Sequence, residues 1–111
     1  MTWHPLTKIE QLREIADKSA QKAQVIYKHS TRCSISQVVK NRLEKEHAPE
    51  EVDFYFLDLI AYRSVSNAIA EQFGVHHESP QILVIRNGEC VYDDSHMAIN
   101  MDDIADQVTA A

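Results

Sequence analysis

The spacing of apolar residues along the chain predicts four helices. Ile9, Leu12 and Ile15 recur at the three- and four-residue intervals that place side chains on one helix face. The same spacing recurs in two later stretches, and Asn100 is suited to cap a last helix. The predicted helices cover residues 8–20, residues 34–46, residues 62–73 and a segment after Asn100.

Short apolar runs between these helices predict four strands. They are rich in β-branched and aromatic residues and are bounded by polar ones. They cover residues 24–29, 52–57, 82–85 and 90–92. The last two are separated by Asn87-Gly88, which is a strong signal for a type I′ hairpin.

Some residues at the ends of the helices also carry signals. Thr7, with Glu10 three residues later, predicts a capping box at the start of the first helix. Gly74 predicts a left-handed residue at the end of the third. The elements alternate between helix and strand until the hairpin, which favours parallel strands joined by helices. We therefore predict one α/β domain over residues 1–111, a three-layer fold whose central mixed four-stranded sheet is flanked by helices.

Composition and charge narrow the function. The chain has 111 residues, and its 44% apolar fraction is enough for a folded core. Its formal net charge of −6 argues against nucleic acid as a partner, since phosphate binding needs clustered cations. Neither a membrane-spanning run nor a signal peptide is visible. Two cysteines are too few for a disulfide framework, so a cytoplasmic location fits best.

Cys33 is the residue with the clearest chemical implication. It lies between a predicted strand and a predicted helix, where unpaired backbone amides and the helix dipole favour a thiolate. Arg32 adds a positive charge beside it. A dithiol enzyme carries its second cysteine three residues later, and this chain has Ser36 there. The pattern predicts sulfur redox chemistry that uses one cysteine.

The order of elements resembles the thioredoxin fold over nearly the whole chain. The resemblance rests on a cysteine after the first main strand and on Ser79-Pro80 just before the hairpin. It implies that the Ser79–Pro80 bond is cis and faces Cys33. It also implies that the residue before the proline offers its backbone to a bound peptide or thiol.

Local motifs resemble the monothiol bacilliredoxin family in particular. The motifs are Thr31-Arg32-Cys33-Ser34-Ile35-Ser36, His77-Glu78-Ser79-Pro80-Gln81, Asn87-Gly88 and Ser95-His96. These proteins are linked to the low-molecular-weight thiol bacillithiol. The resemblance implies an enzyme that removes bacillithiol from mixed disulfides on proteins, with bacillithiol as co-substrate and no tightly bound cofactor. S-thiolated proteins and a small thiol would be its partners, with no nucleic acid and no membrane.

The chain departs from its relatives at two positions. The family's usual proline after the cysteine is here Ser34, which could alter the redox potential but leaves the nucleophile in place. The buried carboxylate that thioredoxins carry six residues before their first cysteine is here Tyr27. No internal proton acceptor for a dithiol cycle is obvious from the sequence.

The resemblance and the position of each residue give a predicted site. Cys33 is the expected catalytic nucleophile. The Ser36 hydroxyl either caps the sulfur or satisfies amides of the first helical turn. The Ser95-His96 turn either holds the carboxylate end of a small thiol or is an ordinary loop before the last helix. The expected substrate-binding residues are Thr31, Arg32, Ser34, Ile35, Ser36, Ser79, Pro80, Ser95 and His96.

Two other signals are read as structural. Cys90 follows the hairpin turn, at the end of the sheet remote from Cys33, and we expect it to pack rather than to form a disulfide. His76-His77 suggests a metal site, but adjacent residues on an extended chain point to opposite sides, so no metal site is expected.

Two alternative functions remain at this stage. One is a monothiol glutaredoxin-like protein that uses glutathione or holds an iron–sulfur cluster, although residues that grip glutathione are not recognisable. The other is a thioredoxin-fold binding module without turnover.

Overall fold

A computed structural model describes residues 1–109 of the chain. The strands are β1 (Trp3–Pro5), β2 (Ala23–His29), β3 (Val52–Asp58), β4 (Gln81–Arg86) and β5 (Glu89–Ser95). The helices are α1 (Glu10–Lys18), α2 (Ser34–Lys45), α3 (Arg63–Phe73) and α4 (Met101–Thr109), with a short 3₁₀ helix over His96–Ala98. Every predicted element is present, and most bounds differ by one or two residues from those predicted.

The sheet has five strands in the order β1-β3-β2-β4-β5, and the prediction of four strands is corrected. β1, β3 and β2 are parallel to one another, whereas β4 and β5 form the antiparallel hairpin. The missed strand, β1, pairs Trp3 with Phe54 at the edge of the sheet. It has only three residues and ends on Pro5, so it is too short to show a period of two.

Helices cover both faces of this sheet. On one face, α2 and α4 contribute Val39, Leu43 and Ile104 to a core that includes Tyr27 of β2. The other core is formed by side chains of α1 and α3 packed on the opposite face; its fully buried members include Leu12, Ile15, Ile26, Ile69 and Leu83. The neighbouring residues Ile26 and Tyr27 thus enter different cores, as the alternation of a strand requires.

The N-terminus of α1 differs from its prediction. Ile9, rather than Thr7, is the N-cap residue, and it makes no side-chain hydrogen bond. Gln11 replaces the expected capping box, because its Oε1 accepts from the backbone N–H groups of Thr7 (2.8 Å) and Lys8 (3.0 Å). Its Nε2 donates to the Pro5 carbonyl at 3.0 Å. One amide side chain therefore ties the β1–α1 loop to the helix.

The other predicted turns and caps are present. Gly74 ends α3 with a φ of 64°. Asn87 and Gly88 have φ values of 53° and 76°, as a type I′ hairpin requires. The Asn100 Oδ1 accepts from the Asp103 N–H at 2.9 Å in the first turn of α4. The hairpin is also fixed to the end of α1, since the Gly88 N–H donates to the Ser19 Oγ at 2.8 Å.

Replacing Gly88 by alanine should destabilise the protein by about 1 kcal/mol, because an L side chain is strained in the left-handed region. A Cβ at this position meets nothing within 4 Å, so the cost is conformational rather than steric. Gly88→Asn is the matched control and should cost less, because asparagine tolerates this region. Urea unfolding measures both, and equal losses would contradict this account.

Candidate functional site

Cys33 is the N-cap residue of α2, with an extended backbone (φ −111°, ψ 114°). Its N–H donates to the Ser30 carbonyl at 3.1 Å, which closes the turn between β2 and α2. Its side chain is half-buried, and the first turn of α2 contains no acidic residue. The thiol therefore sits at the positive end of a twelve-residue helix, where nothing in the first turn opposes a negative charge on sulfur.

The residues beside Cys33 are open to solvent. Thr31 and Arg32 precede it in an exposed turn, and the Arg32 N–H donates to the Ser30 Oγ at 3.3 Å. Ser34 and Ile35 follow it and are also exposed. These four predicted residues therefore flank Cys33 along the chain and are exposed, so a second molecule can reach them.

Ser36 is different, and its predicted contact with substrate is corrected. It is fully buried, and its Oγ accepts from the Ser30 N–H at 3.1 Å and lies 2.7 Å from the His29 Nδ1. The hydroxyl is thus bound to the end of β2, rather than to the sulfur or to amides within the first turn of α2. Its position makes Ser36 a fixed connection between strand and helix.

Tyr27 lies below this connection. Its hydroxyl donates to the Ser36 carbonyl at 2.8 Å and is 3.3 Å from the Ser36 Oγ. Burial raises the pKa of Tyr27 to about 12, so the phenol stays neutral where thioredoxins carry a carboxylate. Its ring packs against Trp3, with 5.7 Å between centroids. Tyr27 is therefore a donor and a packing residue, and at neutral pH it carries no charge.

His29 is a site residue that the sequence analysis missed. It is 3% exposed, and its ring packs on Phe56 with 5.1 Å between centroids. Burial, and then the charge of Lys40, lowers the pKa of His29, which favours a neutral imidazole. Because side chains alternate along a strand, His29 lies on the same face of β2 as Tyr27. This alternation was the one feature of the sequence that could have placed His29 near the site. The structure thus places a buried imidazole beside Ser36.

The predicted residues from the hairpin meet at the same end of the sheet. The Ser79–Pro80 peptide bond is cis, and Pro80 is buried. The His96 N–H donates to the Pro80 carbonyl at 3.0 Å, and His96 has a φ of 58°. Ser95, the last residue of β5, pairs with Gln81 at the start of β4. The structure therefore brings Ser79-Pro80 and Ser95-His96 together.

α2 is tied to the turn that follows β5. The Arg42 guanidinium donates to the Met97 carbonyl at 3.1 Å and also to the Ile99 carbonyl. The helix that carries Cys33 and the turn that follows Ser95-His96 are therefore held against each other.

Comparison with known proteins agrees with this geometry. The model of the family described as Monothiol bacilliredoxin BrxC matches residues 4–104. The chain belongs to the monothiol bacilliredoxin family. The chain is also similar to a solved structure described as an oxidoreductase with a thioredoxin fold. The two are 31% identical, the match covers 96% of this chain and 92% of that one, and the TM-score is 0.80.

Thioredoxins share the fold at lower identity. Thioredoxin from Trypanosoma brucei brucei is 17% identical with a TM-score of 0.75, and the match covers 98% of this chain and 93% of that one. Thioredoxin from Fasciola hepatica is 18% identical with a TM-score of 0.71 and 96% coverage of both chains. The fold is thioredoxin-like, and the family is one of thiol oxidoreductases linked to a low-molecular-weight thiol.

Cys90 lies at the end of the sheet that is remote from Cys33. It pairs with Ile85, four residues along β4 from Gln81, which is about 13 Å at 3.3 Å per strand residue. A disulfide needs Cα atoms within about 7 Å. Burial raises the pKa of the Cys90 thiol to about 11, and its Sγ donates to the Tyr92 carbonyl at 3.2 Å. Cys90 packs against the core formed with α1 and α3, as expected.

A second polar cluster, also missed from sequence, lies on the α3 face of the sheet. Lys28 of β2 is 0% exposed, and its Nζ donates to the Ser66 carbonyl at 3.2 Å. The same Nζ is 3.3 Å from the His77 Nδ1. Burial lowers the pKa of Lys28 from its ordinary value of 10.5 to about 8. In the sequence this lysine stood inside an apolar strand pattern, which gave no sign of its burial.

Nothing in residues 1–109 groups three or more histidine, cysteine, aspartate or glutamate side chains in a way that could hold a metal ion. His76 is exposed, whereas His77 turns inward to Lys28. Over the same residues, no helix has the length and apolar character needed to cross a membrane.

Ser36→Ala should destabilise the protein by about 2 kcal/mol, because it leaves the Ser30 N–H and the His29 Nδ1 without their buried partner. Ser34→Ala, at an exposed position of the same helix, is the matched control and should change stability by less than about 0.5 kcal/mol. Urea unfolding at pH 7 compares them. Similar values for both variants would show that the buried hydroxyl does not hold the helix.

Lys28 should make stability rise with pH between about 8 and 10.5. Its pKa is lower in the folded state, so the unfolded chain binds more protons in this window and deprotonation favours folding. The rise attributable to Lys28 should be on the order of 3 kcal/mol. Unfolding measured from pH 7 to 11 in wild type and Lys28→Met gives the difference curve. If the difference in the free energy of unfolding does not change with pH, burial does not lower the pKa of Lys28.

Proposed function

We propose that this chain removes bacillithiol from mixed disulfides on proteins, with Cys33 as its one redox-active thiol. The observation that carries the proposal is that no second cysteine lies where it could attack an adduct on Cys33. The position three residues after Cys33 holds Ser36, whose hydroxyl is buried and hydrogen-bonded to His29 of β2 and to the Ser30 N–H. The remaining cysteine, Cys90, lies at the opposite end of the sheet. An adduct on Cys33 therefore has no internal thiol within reach.

The reaction consists of two disulfide exchanges. The Cys33 thiolate attacks the bacillithiol sulfur of the mixed disulfide, and a Cys33–bacillithiol bond forms as the protein–bacillithiol bond breaks. The protein sulfur leaves with the electron pair of the broken S–S bond and takes a proton from water, so the protein is reduced to its thiol while Cys33 is oxidised to a mixed disulfide. The thiolate of a second small thiol, or of a partner's cysteine, then attacks the bacillithiol sulfur of the adduct. A disulfide between that thiol and bacillithiol forms as the Cys33–bacillithiol bond breaks, and Cys33 leaves as the thiolate.

The surrounding residues have distinct roles in this proposal. Arg32 stabilises the Cys33 thiolate, and the backbone amides of Ser34 and Ile35 support its charge. Ser79 offers its backbone to the incoming disulfide, and Pro80 aligns the sulfurs beside it. The outer surface for the substrate is formed by Thr31, Ser95 and His96.

His29 and Ser36 act behind the thiol rather than on the substrate. The His29 Nδ1 and the Ser36 Oγ share a hydrogen bond, and the same Oγ accepts from the Ser30 N–H. This arrangement fixes the backbone of the turn that presents Cys33. We also propose a cytoplasmic location, because a free, partly exposed thiol requires a reducing compartment.

Intact-protein mass spectrometry tests the proposal with a single-cysteine protein that carries bacillithiol. Wild type and Cys90→Ala should both acquire one bacillithiol on Cys33 and keep it until free thiol is added. Cys33→Ala should acquire none, because no other thiol lies at a helix N-terminus. If wild type loses the adduct and forms a Cys33–Cys90 disulfide, the one-cysteine mechanism is wrong.

The same assay with a glutathionylated protein separates the alternatives. Transfer of glutathione as fast as bacillithiol would favour the glutaredoxin-like function. A stable complex with the thiolated protein, without any adduct on Cys33, would favour the binding module. Selective transfer of bacillithiol supports the proposed enzyme.

A further inference from the structure

Lys28 is a charged residue in the interior whose described partners are both neutral. Its Nζ donates to the Ser66 carbonyl at the start of α3 and to the His77 Nδ1. The Ser66 Oγ is 3.4 Å from the same His77 nitrogen, so the imidazole is approached from strand and helix together. An ammonium removed from water without a carboxylate is expensive to bury, and methionine would fill the same space without a charge. The position therefore calls for an explanation other than stability.

The explanation lies in what Lys28 holds. His77 is three residues before Pro80, in the segment 76–80 that leads from α3 into β4. Gln81 pairs directly with Lys28 across the strands, and its Nε2 donates to the His76 carbonyl at 2.9 Å. Two neighbouring side chains of the sheet thus bind this segment. The Ser79 hydroxyl is buried and has no hydrogen-bond partner among residues 1–109, so it does not anchor the segment.

We propose that Lys28 is a positioning residue of the thiol site, which holds the segment 76–80 in place while His77 is neutral. The role rests on the proposed function, in which Ser79 offers its backbone to the substrate and Pro80 aligns the sulfurs. Lys28 itself touches neither substrate nor sulfur. It acts through His77 and therefore on the binding of substrate.

The proton arrangement limits this hold at acid pH. Nδ1 accepts from Lys28 only while His77 is neutral, and a protonated imidazole would turn an N–H toward the ammonium. Burial lowers the pKa of His77 first, and the charges of Lys28 and Arg63 lower it further. Glu78 raises the same pKa, and His76 lowers it. Asp58, at the end of β3, is turned to the backbone N–H groups that follow it.

The hold persists at alkaline pH. Burial lowers the pKa of Lys28 to about 8, so loss of the proton favours the arrangement in which Lys28 is buried, and the neutral amine still donates to the Ser66 carbonyl and to the His77 Nδ1. Segment 76–80 should therefore be released only below the His77 titration, and the Lys28 titration should change the surroundings of the segment without releasing it.

Nuclear magnetic resonance tests this without relying on turnover. The Ser79 amide is followed from pH 5 to 10 in a Cys33→Ser background, so that the thiol does not titrate. Two steps are expected, one below about 6.5 and one near 8. His77→Gln keeps an acceptor that does not titrate, and it should lose the lower step. Lys28→Met should lose the upper step, whereas Lys22→Met, an exposed lysine paired with Asp53, should keep both.

Kinetics give the second readout in the chain that retains Cys33. Lys28→Met should raise KM for the bacillithiolated protein about fivefold, the effect of one lost hydrogen bond, and leave kcat within about twofold. His77→Gln should keep KM near wild type and remove its rise at acid pH. An unchanged Ser79 titration in both variants, or a loss confined to kcat, would overturn the proposal.

The outcomes remain distinct if a variant or the proposed function fails. If Lys28→Met does not fold, His77→Gln decides the question. Loss of the lower step in this variant supports the proposal, and its retention overturns it. If wild type transfers no bacillithiol, the proposed function fails, and the Ser79 titrations still decide whether Lys28 holds the segment.

Discussion

β2 is buried along its whole length, yet the chain at its carboxyl end is polar. Polar groups in the interior need hydrogen-bond partners, so Lys28, His29 and Ser30 each have to find one inside the protein. His29 and the Ser30 N–H find the Ser36 hydroxyl. Lys28 finds the Ser66 carbonyl and His77. The helix that carries the thiol and the segment before Pro80 are therefore both fixed to one strand.

The alternation of side chains divides this task between two faces. Lys28 points to the α3 face and His29 to the α2 face, because successive residues of a strand point in opposite directions. A shift of register by one residue would exchange the two and break both connections. Apolar pairs such as Val25 with Phe54 fix the register between β2 and β3, and this register keeps Lys28 and His29 on opposite faces. Packing in the core thus decides the chemistry at the end of the strand.

The sequence was sufficient for most of the elements and for the position of Cys33 at the start of a helix, but not for the hydrogen bonds beneath that cysteine. Long periodic segments, the Asn87-Gly88 turn and Cys33 before a helix are local signals, and each was predicted. β1 was missed because three residues at an edge show no period. His29 and Lys28 were missed because their partners are distant in sequence or on another element, and one-dimensional spacing does not reveal such contacts.

The two edges of the sheet show how another protein has to approach. β1 is three residues long and ends on a proline, which cannot donate to a ladder. β5 exposes Glu89 and Asp93 along the opposite edge. Both features discourage a foreign strand from extending the sheet. An extended segment of another chain is thus kept from pairing at either edge, which protects this small chain from aggregation through its sheet.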